Sequence, residues 1–524
     1  MIKQKIKNGN NSLVKSSYIV GGMTFISRIS GFLRDIIFAN IFGASSSTDA
    51  FFVAFKIPNF FRRLFAEGAF IQSFVPVLND YKVKNPPELK NFISYVQGNL
   101  ALILLIIVII GILFSDTIIN IFAPGFTMDD PRYTLASEML KITFPYLLFI
   151  SLTAMAAGIF NTFNQFLLPS VTPVVLNLSL IVSAIFITDF FNEPIVALAY
   201  GVLIAGLLQY MIQLPSLYKL NLLVVPKIGF EFDGVNKVIK LMLPVMLGTA
   251  VIQINLIIDS IIASMLTAGS ISWLYYSDRL VEFPLGIFGI AIATVILPAL
   301  SRKFSSSNIL EYKSMLNDSL NIAILFSLPA MIGLIVLSNL IITSLFQYGN
   351  FTINDTTMSA LSLVAYSIGL PAFILMKILL TGFFSRQDTR TPVKYAIIAV
   401  IFNIIMNIGV LMYYRQSGFI GAHALLALAT SLSAWIQVWL LYNNLKRDKF
   451  IINNIFFSID TLRSVLSCLI MVTMLLYSIS YITNPEKLDY YMRGMALIGF
   501  IFLGGFIYSL SMYIFGHKIK KYYT

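Results

Sequence analysis

The chain has 524 residues, 58% of them hydrophobic and only 11% charged, with a formal net charge of +12; soluble domains carry about 25% charged residues, so the composition excludes a soluble enzyme or adaptor and describes a polytopic membrane protein. Its lysines and arginines fall in short blocks between apolar runs, the pattern of cytoplasmic loops and not of a nucleic-acid face. A single cysteine, Cys468, excludes an internal disulfide framework, and no CxxC or His/Cys cluster points to a metal.

Dividing the apolar runs at proline, glycine and charge clusters predicts an all-α chain of about fourteen membrane helices, each of roughly 20 residues or more. The first six span 16–42, 49–80, 91–114, 133–160, 169–189 and 194–218. The next six span 236–266, 270–300, 313–346, 357–384, 392–414 and 419–443, and two more span 460–483 and 491–516. Loop charge agrees with this count. Lysines or arginines follow every second helix, as at Lys82–Lys84, Lys227, Arg302–Lys303, Arg386–Arg390 and Lys446–Lys449, whereas the alternate loops are neutral or mixed. The positive-inside rule then puts both termini in the cytoplasm.

Short matches recur at a nearly constant spacing of roughly 220 residues. DIIFA around Asp35 resembles DSIIA around Asp259, and FVPVL at Phe74–Leu78 resembles ILPAL at Ile296–Leu300. Pro145 pairs with Pro371, and the turn from Gly158 pairs with the turn from Gly382. The expected organisation is two parallel six-helix lobes, 1–220 and 221–445, around a central cavity, with two additional helices in 446–524. That is a transporter architecture working by alternating access.

Charge inside the helices marks the function. A charge near the centre of a membrane helix costs at least about 2.5–3.5 kcal/mol, so such residues face protein or water and mark a pathway. The stretch from Phe25 to Glu67 holds Arg28, Arg34, Asp35, Asp49, Lys56, Arg62, Arg63 and Glu67. On the second helix Asp49, Lys56 and Arg63 recur every seven residues and share a stripe that drifts only about 20° per step. The eighth helix holds Asp278, Arg279 and Glu282 within one turn. An arginine in such a place suits an anionic head group, because its fork binds phosphate bidentately and stays charged. The alternative is a set of structural ion pairs: Arg34 with Asp35 or Asp49, Arg63 with Glu67, Arg279 with Glu282. Asp259 has no basic residue within a helical turn; it takes a proton, binds a cation, or pairs with a base from another helix such as Lys377. His423 and His517, the only histidines, read as core or interfacial residues. An embedded enzyme is disfavoured by the lack of HExxH, GxSxG or a phosphate-binding glycine loop, and Asp129–Asp130 before Pro131 reads as a helix N-terminus.

The segments SRISGFLRD, TDAFFVAFKIPNFFRRLFAEGAF, SFVPVL, KITFPY, YYSDRLVEFP and SRQDTRTPVK together resemble the MurJ (MviN) family, lipid II flippases of the multidrug/oligosaccharidyl-lipid/polysaccharide exporter superfamily. The resemblance covers essentially the whole chain. It implies a non-enzymatic protein of the inner membrane that moves an undecaprenyl-diphosphate-linked peptidoglycan precursor to the outer leaflet, as a monomer, with lipid II and membrane lipids as partners and no nucleic acid. The family's functional arginines match Arg28, Arg34 and Arg279, and its helix 2 acid matches Asp49. Arg62, Arg63, Glu67 and Glu282 complete the expected substrate-binding set. Asp259 and, more weakly, Asp388 are the candidate cation ligands. No prosthetic cofactor is expected, and coupling to membrane potential or a monovalent cation is compatible with the resemblance. Two rival functions share the architecture: a MATE-like cation-coupled exporter, and a flippase for another undecaprenyl-diphosphate-linked glycan.

Overall fold

A computed structural model describes residues 2–451, 454–481 and 488–517; the side chains of 2–19, 65–67 and 247–256 lie outside the described set. The described chain is helical with no strand, and it divides into two compact units, Met1–Ala268 and Gly269–Thr524.

The first unit opens with α1 (Ile2–Phe42). Gly43, at φ 63°, turns the chain into α2 (Ser46–Phe61). Ser45 caps α2, its hydroxyl accepting the Thr48 N–H at 3.2 Å. Pro58 lies inside α2 and has no N–H to give the carbonyl of Ala54; the Thr143 hydroxyl donates to that carbonyl instead, at 3.2 Å. The helix runs on through a π-helical segment, Arg62–Phe70, into α3 (Ile71–Lys84). Then come α4 (Leu89–Leu113), the short α5 (Ser115–Phe122), α6 (Pro131–Thr143), α7 (Tyr146–Thr162), α8 (Leu167–Phe186), α9 (Val196–Met211), α10 (Leu214–Lys219) and α11 (Asp233–Ser264). α1 packs on α8, α2 on α6, α7 on α9, and α11 on the π segment and α3. A stack of rings forms much of the core: Phe70 on Phe74 at 5.1 Å, Phe74 on Phe92 at 5.7 Å, and Phe92 on Tyr81 at 4.5 Å.

The segment before α11 is extended and lies along α4. Lys227 N–H donates to the Ser94 carbonyl at 3.0 Å. The Asn99 carboxamide exchanges two hydrogen bonds with Gly229, at 2.9 and 3.1 Å, and the Ser94 hydroxyl donates to the Val225 carbonyl. Gly98 permits this approach, since a Cβ there would stand 2.1 Å from the Lys227 carbonyl oxygen. α11 therefore belongs to the first unit by packing, although it opens the second copy of the element order.

The second unit repeats that order. α12 (Ser270–Pro284) runs through a π segment, Leu285–Ile290, into α13 (Ala291–Ser305). α14 (Ile309–Val336), the short α15 (Ser338–Leu345), α16 (Ile353–Phe384), α17 (Arg390–Ser417), α18 (Ala422–Arg447), α19 (Ile459–Ile479) and α20 (Tyr490–Ile514) follow. The match reaches backbone detail. Asn164 and Gln387 both have positive φ, 59° and 61°. The next residue in each turn bonds back to a carbonyl five positions earlier, Gln165 to Phe160 and Asp388 to Phe383, a Schellman-type close that satisfies late helix carbonyls.

Four local features depart from the sequence expectation. Both π segments lie inside runs expected to be plain helices, and α5 and α15 were not foreseen as separate helices. Hydropathy does not register a one-residue excess per turn, nor a break such as Phe114 or Leu337 inside an apolar run. Among the described residues eleven helices are long and apolar enough to cross a membrane. The long runs Ile2–Phe42, 46–84 and Asp233–Ser264 are not among them; those are the runs into which the helices carrying Arg28, Asp49 and Asp259 fall.

Candidate functional site

On α1, Arg34 is buried at 6% exposure and Asp35 at 2%. The Arg34 guanidinium donates Nε and one terminal nitrogen to Asp35 Oδ1, at 2.9 and 2.6 Å. Its other terminal nitrogen donates to Asn177 Oδ1 of α8 at 3.0 Å. The Asn177 amide nitrogen in turn donates to the Ser27 carbonyl and the Ser30 hydroxyl, at 3.1 and 3.0 Å. Gly31 gives the carboxamide its room, as a Cβ there would sit 3.3 Å from Asn177 Nδ2. This network pins α1 to α8, and a buried pair fully hydrogen-bonded in this way holds its geometry. Asn177 was missed at the sequence level. Its signal was available: a carboxamide in the apolar run VVLNLSLIV, where a polar group needs a partner.

Arg28 is exposed on α1, and among the described residues it enters no hydrogen bond or ion pair. An exposed guanidinium on a membrane-length helix keeps all its donors available to an anion. Asp49 is wholly buried in the first turn of α2, where the positive end of the helix dipole favours a carboxylate. Lys56, exposed one stretch further along, donates to the Ser260 hydroxyl of α11 at 3.0 Å, beside the half-buried Asp259. Arg62 Nε donates to Asn59 Oδ1 at 3.1 Å, and Arg63 is exposed; both belong to the π segment. The Glu67 side chain lies outside the described residues.

In the second unit, Arg279 donates to Glu282 Oε2 at 2.8 Å and lies 4.8 Å from the Tyr275 ring centre. The Arg279 and Glu282 side chains are 36% and 51% exposed. Asp388 accepts the Thr391 N–H at 3.1 Å at the start of α17. Partial burial pushes its pKa up, but the Thr391 donors and the Arg386 guanidinium outweigh that and hold it below the ordinary 3.8. Its stabilising contribution is thus present above 3.8 and lost as pH falls through the folded value. Asp388→Ala is expected to cost about 1 kcal/mol at neutral pH, with the gap to wild type closing below pH 3.8 in thermal unfolding of detergent-solubilised protein. A sodium-dependent midpoint shift lost in the variant would instead make Asp388 a cation ligand.

Asp130 caps α6: it accepts the Arg132 N–H at 2.8 Å and pairs with the Arg132 guanidinium at 2.6 Å. Burial raises its pKa, yet these Arg132 contacts prevail and lower it. The pair Asp129–Asp130 is accounted for as a helix start. Among the described residues no group of three or more His, Cys, Asp or Glu is placed to hold a metal ion.

Comparison with known proteins bears on the whole chain. A family model described as "Lipid II flippase MurJ" matches residues 38–494. A relative named "Probable lipid II flippase MurJ", from Buchnera aphidicola subsp. Schizaphis graminum, is 41% identical over 512 residues, covering 98% of this chain and 98% of the relative. A solved structure of "Lipid II flippase MurJ, inward closed conformation" superposes with a TM-score of 0.79 at 32% identity, covering 95% of this chain and 98% of that one. An inward-facing multidrug resistance MATE family transporter of the MOP superfamily shares the fold at 12% identity, with a TM-score of 0.63 over 82% of this chain and 98% of its own. Membrane-length helices with charge concentrated on α1, α2 and α11, and a match of this extent, lead to one conclusion: the chain belongs to the lipid II flippase MurJ family.

Proposed function

We propose that the protein moves lipid II, the undecaprenyl-diphosphate-linked peptidoglycan precursor, from the inner to the outer leaflet of the cytoplasmic membrane by alternating access. The observation that carries this reading is the likeness to a named lipid II flippase along 98% of the chain. Arg28 and Arg279 supply the chemistry. A diphosphate brings about two negative charges into a low-dielectric region, and guanidinium forks replace the water it gives up. Arg28 is exposed and enters no hydrogen bond or ion pair among the described residues, and Arg279 stands partly exposed beside Glu282 and Tyr275. Arg34, Asp49, Arg62, Arg63, Glu67 and Glu282 are the supporting members of the substrate set, with Arg34 acting through its hold on α1.

The same reading has both termini cytoplasmic, a single copy as the working unit and no prosthetic group. It takes residues 1–220 and 221–445 as the two repeats, with 446–524 added, and Asp259 as the residue that links transport to a cation or to membrane potential. Depleting the protein in cells without another flippase is expected to stop lipid II from reaching an impermeant probe at the outer surface, to load the cytoplasmic leaflet with precursor, and to cause lysis. Unchanged outer exposure would overturn the assignment. Mass spectrometry of the purified protein with lipid II and with other undecaprenyl-diphosphate glycans then identifies the glycan that is retained.

A further inference from the structure

The chain between α10 and α11 makes a dip that the transport site does not use. It first runs beside α4 in the same direction. The Val225 carbonyl and the Lys227 N–H bond to Ser94, and both backbone groups of Gly229 bond to the Asn99 carboxamide. The chain then returns: Phe232 stacks on Tyr95 at 4.9 Å, and Gly234 lies against Phe92 and Tyr81. Asn99 is seven residues beyond Phe92, or about 10 Å along α4 at roughly 1.5 Å per residue. Gly229 and Phe230 are therefore the deepest point of the dip. There α4 changes character. Lys90, Asn91, Ser94, Gln97 and Asn99 lie in its first part, and residues 100–113 hold no polar side chain.

Non-helical backbone is not tolerated in the hydrocarbon of a membrane unless its polar groups are bonded. Ser94 and Asn99 bond four such groups of the dip, and a depth at the edge of the apolar run leaves the others to water and headgroups. The dip exposes apolar side chains: Val225 is 79% exposed, Ile228 63% and Phe230 44%. Basic side chains flank them. Residues 218–240 hold Lys219, Lys227, Lys237 and Lys240 against Glu231 and Asp233. Lys237 pairs with Asp233 at 2.5 Å. Lys219, Lys227 and Lys240 are exposed and enter no ion pair among the described residues, with Glu231 the one acid of the segment left to offset them. An apolar tip bordered by such lysines suits the boundary between acyl chains and anionic headgroups. We propose that the dip between α10 and α11 is a docking surface for anionic lipid. Val225, Ile228 and Phe230 enter the headgroup–acyl boundary, and Lys219, Lys227 and Lys240 meet the headgroups. The proposal rests on the reading that places this loop on the cytoplasmic side, whose leaflet carries anionic lipid.

Fluorescence quenching in vesicles tests this with the full-length chain. Ile228→Cys in a Cys468→Ala background carries a nitrobenzoxadiazole label; Phe230→Cys takes its place if the first variant does not fold, as judged by gel filtration. The vesicles contain equal parts phosphatidylglycerol and phosphatidylcholine, with a nitroxide on an upper acyl carbon of one lipid or the other. The label is expected to be quenched by both, and at least about twofold more strongly by the phosphatidylglycerol nitroxide, because the lysines concentrate anionic lipid beside it. Lys219→Gln/Lys227→Gln/Lys240→Gln should make the two lipids equal quenchers. A label that neither lipid quenches overturns the lipid surface and gives this face to a protein partner. Equal quenching with the lysines in place overturns the anionic preference, as does a preference that the triple variant keeps. Reaction of Lys219→Cys with an impermeant thiol reagent outside intact cells would instead overturn the cytoplasmic placement, whatever the quenching shows.

Discussion

Arg34→Ala should strip the protein from the membrane, whereas Arg28→Ala should leave it abundant and inactive. The first substitution removes the guanidinium that pairs with Asp35 at 2.6 Å and reaches Asn177 at 3.0 Å. It leaves behind a carboxylate only 2% exposed. Breaking a buried pair from one side costs about 3–5 kcal/mol, a large part of the 5–15 kcal/mol that holds a typical folded protein together. Arg28 is exposed and unpaired among the described residues, so its loss strands no acid. Its expected phenotype is failed complementation at wild-type membrane level, with lysine rescuing poorly because an ammonium lacks the bidentate fork. Arg279→Ala should also fail to complement, since it removes the second guanidinium fork of the proposed diphosphate site. Immunoblots of membrane fractions beside growth curves separate the outcomes. Normal growth with Arg28→Ala and Arg279→Ala at native expression would remove both arginines from the transport site, and full abundance of Arg34→Ala would remove the structural role assigned to it.

The second large effect is expected at Gly98. A methyl group there would stand 2.1 Å from the Lys227 carbonyl oxygen and 2.7 Å from the Lys227 nitrogen. These are backbone atoms, so no side-chain rotation relieves the clash. Gly98→Ala should drive the 225–229 segment off α4, with the loss of the Lys227–Ser94 and Asn99–Gly229 hydrogen bonds. The cost is expected to exceed the roughly 1–3 kcal/mol of ordinary overpacking. Asn99→Ala, which removes two hydrogen bonds and adds no clash, should be milder. Limited trypsin digestion reads the result directly: cleavage after Lys227 should accelerate strongly in Gly98→Ala and modestly in Asn99→Ala. Equal protection in Gly98→Ala and wild type would mean that the segment does not rest on α4.

Much of this protein is legible along the chain because a membrane restricts what a chain can do. With backbone groups obliged to bond internally, apolar runs become helices, and loop charge orders them. The element order repeats as the short matches around Asp35/Asp259 and Gly158/Gly382 indicate, down to the positive φ at Asn164 and Gln387. Residue type also marks Arg28, Arg34 and Arg279 as costly and therefore significant. What their guanidiniums touch is a different kind of fact. Arg34 and Arg28 look alike in sequence, yet one is locked to Asp35 and to Asn177, a residue 143 positions away, and the other stands exposed. Only packing decides that, because a side chain's partner depends on which helix lies beside it. The same holds for the Lys56–Ser260 hydrogen bond and for the segment docked on Gly98. By itself the sequence determined a repeated bundle of membrane helices with charge on a few of them; the tertiary structure decided which of those charges are locked in buried hydrogen bonds and which stand exposed, since burial and partnership are properties of the neighbours and not of the residue.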